Sequence, residues 1–166
     1  MSENQPVTIG VGTPAPDFSL KHTPSGDPLT LSSLRGQPVV LAFYPADWSG
    51  ICGEQLSLYN EILPEIEALG AKLFGISVDS HHSHVAYANS KNLEFPLLAD
   101  FHPKGEVSKA YDSWNEERGQ SFRNLFVIDS EGIIRWMHRT PPGINPGANG
   151  FLTALEALKK GEDPQP

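Results

Sequence analysis

The chain has 166 residues and one cysteine, Cys52, which follows the run Phe43-Tyr44-Pro45-Ala46-Asp47-Trp48-Ser49-Gly50-Ile51. An apolar strand pattern precedes this run and a long amphipathic helix pattern follows it. A sulfur in the first turn of a helix meets unpaired backbone N–H groups and the positive end of the helix dipole, and both stabilise a thiolate. A thiolate attacks weak O–O and S–S bonds. The plain alternative is an inert packing residue, because free cysteine is among the most buried residue types. Three other residues shift the balance. Pro45 has no N–H and would wall the sulfur from water. The Ser49 hydroxyl can cap the helix and exchange hydrogen bonds with an oxygen substrate. Arg123, just before a predicted strand, carries fixed donors that can hold a thiolate and oxygen atoms together. Taken singly they read as a strand terminator, a helix cap and a surface charge.

Twenty acidic against twelve basic residues give a net charge of −8, which disfavours nucleic acid and anionic membranes as partners. The first ten residues lack a basic segment followed by an apolar one, and the apolar runs are short for a membrane span, so the sequence reads as cytoplasmic. With 39% apolar residues the length fits a single domain over 1–166, with 1–10 and 161–166 loose. A lone cysteine cannot form an internal disulfide, and there is no Cys-x-x-Cys pair.

The elements that must position these groups follow from periodicity. Asp17–Leu20 and Leu29–Leu31, separated by the turn-rich 23–28, predict an N-terminal antiparallel hairpin. Val39–Tyr44 is apolar without alternation, as a strand covered on both faces requires. From Gly50, Leu56, Tyr59, Ile62, Leu63, Ile66 and Leu69 form a helical stripe ending at Gly70, which Pro64 should kink or divide. Strand Lys72–Val78, helix Ser83–Asn92, strand Phe95–Ala99 and a helix near Gly105–Tyr111 follow. Asn124–Asp129 and Ile133–His138 predict a hairpin, and Phe151–Lys160 a last helix. The order gives an α/β fold: a thioredoxin-like mixed sheet flanked by helices, with an N-terminal β-hairpin.

Pro45-x-x-x-Ser49-x-x-Cys52 resembles the peroxiredoxin active-site pattern, and the similarity runs from about Gly12 to Leu158. Val11-Gly12-Thr13-Pro14-Ala15-Pro16-Asp17-Phe18 is similar to that family's N-terminal signature. Phe95–Asp100 and Arg123–Asp129 are similar to its later part. Within the alkyl hydroperoxide reductase/thiol-specific antioxidant family, Gly50-Ile51-Cys52 and Gly105–Glu117 look closest to the one-cysteine alkyl hydroperoxide reductase E group. The bacterioferritin-comigratory-protein group is the second choice. The resemblance implies a thiol-dependent peroxidase acting on hydrogen peroxide, organic hydroperoxides or peroxynitrite, with Cys52, Arg123, Ser49 and Pro45 as catalytic residues. It also favours a homodimer. No cofactor or metal is implied. With no second cysteine, an external thiol must resolve the sulfenic acid: a low-molecular-weight thiol, a glutaredoxin-like protein or thioredoxin. The chain departs from the family at Gly53, where many members have proline, and at Gln55, where glutamate is usual. Ser57 stands where the second group often carries a resolving cysteine.

Other signals are weaker. His81, His82 and His84 read as a solvated helix start, not a metal site. Trp48, Trp114 and Trp136 read as core or interface residues, and the Gly-rich 143–150 lacks a phosphate-binding lysine. Two competing functions share the fold: a thioredoxin-class disulfide reductase, which would want Cys-x-x-Cys, and a non-enzymatic redox sensor or holdase.

Overall fold

The computed structural model describes residues 9–166, so the loose start expected over 1–10 lies almost wholly outside the described residues. Strands β1 (Ser19–Lys21) and β2 (Pro28–Thr30) pair antiparallel as the expected hairpin, with Leu20 opposite Leu29. A 3-10 turn over Leu31–Leu34 buries Leu31 and leads to β3 (Val39–Phe43). The chain continues through α1 (Gly50–Glu61), α2 (Leu63–Ala68), β4 (Lys72–Ser77), α3 (His81–Lys91) and β5 (Leu97–Ala99). It then forms α4 (Glu106–Ala110), β6 (Trp114–Asn115), β7 (Gln120–Ser121), β8 (Leu125–Ile128), β9 (Ile134–His138) and α5 (Asn149–Lys159).

The main sheet has the order β5-β4-β3-β8-β9, parallel from β5 to β3 and antiparallel from β3 to β9. Its centre is β3, buried at every residue. Val39, Leu41 and Phe43 enter one core with Leu31, Phe74 and Phe126; Val40, Ala42 and Tyr44 enter the other with Leu56, Tyr59 and Phe151. Burying each large apolar side chain contributes roughly 1.5–3 kcal/mol, which is why this run specifies the centre of the sheet. No helix among the described residues is long and apolar enough to cross a membrane.

Pro64 divides the long helical stripe as the sequence predicts. α1 ends at Glu61, Ile62 leaves helical geometry, and Pro64 sits in the first turn of α2, where its missing N–H costs nothing. The four-residue β6–β7 pair is an element that the periodicity does not reveal, because strands of two residues carry no alternation. Helix α3 begins two residues before the expected Ser83, since Ser80 caps it by accepting from the Ser83 N–H at 3.2 Å.

Candidate active site

The chain leaves β3, turns through residues 44–48 and enters α1 at Gly50. Trp48 holds a left-handed backbone, φ +71°, a costly conformation for an aromatic residue. Ser49 is extended and caps the helix. Its hydroxyl accepts from the Cys52 N–H at 3.4 Å, a long cap bond, and its carbonyl accepts from the Gly53 N–H at 3.0 Å. Cys52 therefore sits in the first turn of α1, fully buried.

Arg123 comes from the far side of the sequence. Its Nη2 donates to Cys52 Sγ at 3.3 Å, although 71 residues separate the two. Arg123 is 7% exposed, so the surface-charge reading that this residue has when taken singly is corrected. The cause lies in the next residue. The Asn124 carbonyl accepts from the Phe43 N–H at 3.0 Å, which pins the entry of β8 to the end of β3. The Asn124 side chain donates to Ser113 Oγ at 2.9 Å and accepts from the Thr140 N–H at 3.1 Å. These bonds tie the start of the β6–β7 segment to β8, and Asn115, Gln120 and Ser121 of that segment border the cavity beside Arg123. One guanidinium donor, Nε, is buried with no partner among the described residues.

Pro45, Ser49 and Arg123 border one cavity of about 210 Å³, with Ile51, Phe122 and Arg118. Pro45 is buried and Ser49 half-buried. The structure thus brings the four sequence-derived residues together: three around the cavity, and Cys52 in contact with one of them. Apolar walls at Ile51 and Phe122 lower the local dielectric, which strengthens the pull of a guanidinium on developing negative charge.

The sequence reading missed a buried polar anchor beneath this loop. Both carboxylate oxygens of Asp47 are engaged: Oδ1 accepts from Tyr44 OH at 2.7 Å, and Oδ2 from Ser83 Oγ at 2.9 Å. His84 Nδ1 lies 2.9 Å from Asp47 Oδ2, and its Nε2 lies 3.0 Å from the Leu98 carbonyl. The Asp47 N–H donates to Asp79 Oδ2 at 2.8 Å. His84 is therefore no part of a solvated helix start; it is fully buried, on the face of α3 that carries Tyr87 and Ala88. The three- and four-residue spacing of these positions was the available signal. Ligand atoms of Asp47, Asp79 and His84 lie within 4.8 Å of one another, but protein hydrogen bonds already occupy them.

Trp136 is buried, whereas Trp48 is 58% exposed, its ring edge-on to Tyr87 with centroids 5.0 Å apart. Gln55, which replaces the usual glutamate, donates from Nε2 to Tyr59 OH at 3.1 Å, and Tyr59 donates to the Gly147 carbonyl at 2.8 Å.

The sequence over residues 11–137 matches the AhpC/TSA family. The chain belongs to this family and is a peroxiredoxin. The peroxiredoxin is 39% identical over 151 residues to alkyl hydroperoxide reductase E of Mycobacterium tuberculosis, covering 90% of this chain and 98% of that protein. It is 33% identical over 155 residues to peroxiredoxin 2 of Thermoplasma acidophilum, covering 90% of this chain and 76% of that one. Among solved structures, the reduced 2-Cys peroxiredoxin of Plasmodium vivax superposes with a TM-score of 0.85 at 24% identity, covering 92% of this chain and 83% of that one. AhpC of Enterococcus faecalis gives 0.81 at 25% identity, over 94% and 98%. The fold is that of these thioredoxin-like neighbours, and the peroxiredoxin is a thiol-dependent peroxidase with a single cysteine.

Proposed function

We propose that this peroxiredoxin reduces hydrogen peroxide, organic hydroperoxides or peroxynitrite through a sulfenic acid on Cys52, which an external thiol then reduces. The observation that carries this reading is the 3.3 Å contact between Arg123 Nη2 and Cys52 Sγ at the edge of the cavity bordered by Pro45 and Ser49. The thiolate sulfur attacks the terminal peroxide oxygen. The S–O bond forms as the O–O bond breaks: the sulfur keeps the terminal OH as sulfenic acid, and the departing oxygen takes a proton from solvent to leave as alcohol or water, or departs as nitrite when the substrate is peroxynitrite. Negative charge moves from sulfur to the departing oxygen. Arg123 is placed to follow it, with Nη2 on sulfur and the free Nε for an oxygen. The Ser49 hydroxyl orients the peroxide, and Pro45 limits water at the sulfur.

One cysteine leaves no internal route back to the thiol, so a small thiol, a glutaredoxin-like protein or thioredoxin must supply the second sulfur. The family resemblance favours a homodimer, and we infer a cytoplasmic location from the acidic sequence with its short apolar runs. Treatment with one equivalent of peroxide followed by dimedone tests the cycle. We expect a dimedone adduct at Cys52, and steady peroxide consumption only when thiol is present. An unmodified Cys52, or consumption that persists in Cys52→Ser, overturns the proposal.

A further inference from the structure

The cavity beside Cys52 carries more positive charge than the sulfur uses. Two arginines border it, Arg123 and Arg118, and no Asp or Glu is among its lining residues, although the chain as a whole has a net charge of −8. Arg123 is engaged with the thiol, since its Nη2 donates to Cys52 Sγ at 3.3 Å. Arg118 is exposed, and it takes part in no ion pair among the described residues. Its backbone is nevertheless fixed at the cavity. The Asn115 carbonyl accepts from the Gly119 N–H at 2.9 Å, and Asn115 Oδ1 accepts from the Arg118 N–H at 3.3 Å. The neighbouring carboxylates lie outside the lining: Glu116 accepts from Trp114 Nε1 at 2.6 Å, and Glu117 is exposed.

The walls that accompany the two arginines are apolar at Pro45, Ala46, Ile51, Phe122 and Pro142. At about 210 Å³ the cavity is smaller than the roughly 300–1,000 Å³ of pockets for drug-sized ligands, so it suits a short chain. Hydrogen peroxide has no group to offer a second guanidinium. A hydroperoxide with an anionic far end has one, and the planar fork of an arginine matches a carboxylate with two parallel hydrogen bonds.

We propose that Arg118 is a specificity-determining residue, and that the substrate it selects is a short organic hydroperoxide carrying a carboxylate at the end away from the O–O bond. The inference rests on the Cys52 cycle proposed above and names the substrate class of that same site. Arg123 holds the hydroperoxide end beside the sulfur, the apolar walls take the chain, and Arg118 takes the carboxylate. The sulfur gains the terminal OH, and the other oxygen leaves with the chain and is protonated by solvent, so the product is a hydroxy acid. Arg118 holds the same carboxylate before and after the O–O bond breaks. Its effect is therefore on substrate capture, whereas Arg123 acts on the charge that moves.

The test compares γ-hydroperoxyisocaproate, a tertiary hydroperoxide with a terminal carboxylate, with its methyl ester, which has the same O–O bond and no charge. Stopped-flow fluorescence gives the second-order rate of Cys52 oxidation in the intact protein for each. The ratio of acid to ester rate should fall about tenfold in Arg118→Ala, the loss of one charge-assisted contact. Lys160→Ala makes the same change of net charge at an exposed position just beyond α5, outside the cavity lining, and should leave the ratio where it is. Taking the ratio cancels any change in the sulfur's own reactivity. A ratio that does not fall in Arg118→Ala, or that falls as far in Lys160→Ala, overturns the assignment of Arg118 and leaves the cycle standing. A wild-type Cys52 that neither hydroperoxide oxidises overturns the cycle and the assignment together.

Discussion

His84 Nδ1 and Asp47 Oδ2 meet at 2.9 Å with both side chains fully buried, and Asp47 lies two residues from Ser49 and from Pro45. The pair joins the loop before Cys52 to α3 and, through His84 Nε2 and the Leu98 carbonyl, to β5. Removing one member leaves the other polar group buried without its partner, which costs about 3–5 kcal/mol. We expect His84→Ala and Asp47→Ala to lower the free energy of unfolding in urea by about that amount. Loss of the loop's anchor should also slow peroxide reduction in the fraction that folds. Near-wild-type midpoints would mean that the loop is held by other contacts.

Arg123 donates to the Cys52 sulfur, so on the proposed cycle its removal should act on rate more than on folding. Arg123→Ala should slow the oxidation of Cys52 at least tenfold, about 1.4 kcal/mol for one charge-assisted contact. Arg123→Lys keeps the charge but cannot place two donors at fixed spacing, and should recover only part of the loss. Stopped-flow fluorescence measures both. Unchanged second-order rates in Arg123→Ala would remove the residue from the mechanism.

Ser57 lies five residues beyond Cys52 in α1, about 7.5 Å along the axis at about 1.5 Å per residue. A disulfide requires the two Cβ atoms to come within about 4.5 Å, so Ser57→Cys can close one only if the first turn of α1 unwinds. We expect peroxide to produce a disulfide between Cys52 and the introduced thiol in Ser57→Cys, and to raise turnover with thioredoxin. Persistent sulfenic acid in that variant, seen by mass spectrometry, would show that the turn stays wound.

Gly105 precedes α4 with φ +73°, and a Cβ there would run into the Trp114 ring. Gly105→Ala combines left-handed strain of about 1–2 kcal/mol with overpacking of about 1–3 kcal/mol. Because Trp114 begins the β6–β7 segment that leads to Arg123, the variant should lose both stability and peroxide rate. Thermal unfolding and stopped-flow oxidation check the two effects; an unshifted melting temperature would contradict the tight contact.

All four tyrosines, Tyr44, Tyr59, Tyr87 and Tyr111, are fully buried, and burial is the largest cause raising each phenol above its ordinary value near 10. Above pH 10 the unfolded chain therefore loses protons that the folded protein keeps, and stability falls as pH rises. Phenolate absorbance should appear in one cooperative step together with the loss of circular dichroism. Separate titrations near pH 10 in a folded protein would contradict the burial.

The sequence showed the sheet centre and the chemical group plainly, for different reasons. The run Val39–Tyr44 is apolar on both faces, and Cys52 is the only thiol, so each stands out without partners. The Pro45, Ser49 and Arg123 positions emerged through spacing and family resemblance. What stayed hidden depends on tertiary contact. The Asp47–His84 pair joins residues 37 apart, and only the helical face shared with Tyr87 hinted that His84 points inward. The exposure of Trp48 and the burial of Arg123 follow from local turn geometry and from Asn124 pinning β8 to β3, neither of which leaves a periodic trace.

The 71-residue gap between Cys52 and Arg123 has a consequence for biosynthesis. A chain emerging from the ribosome exposes its thiol well before the arginine is made, and the two meet only after β8 docks against β3. Until then Cys52 lacks its guanidinium neighbour. The appearance of the Arg123–Cys52 contact is thereby a timestamp for the docking of β8 against β3.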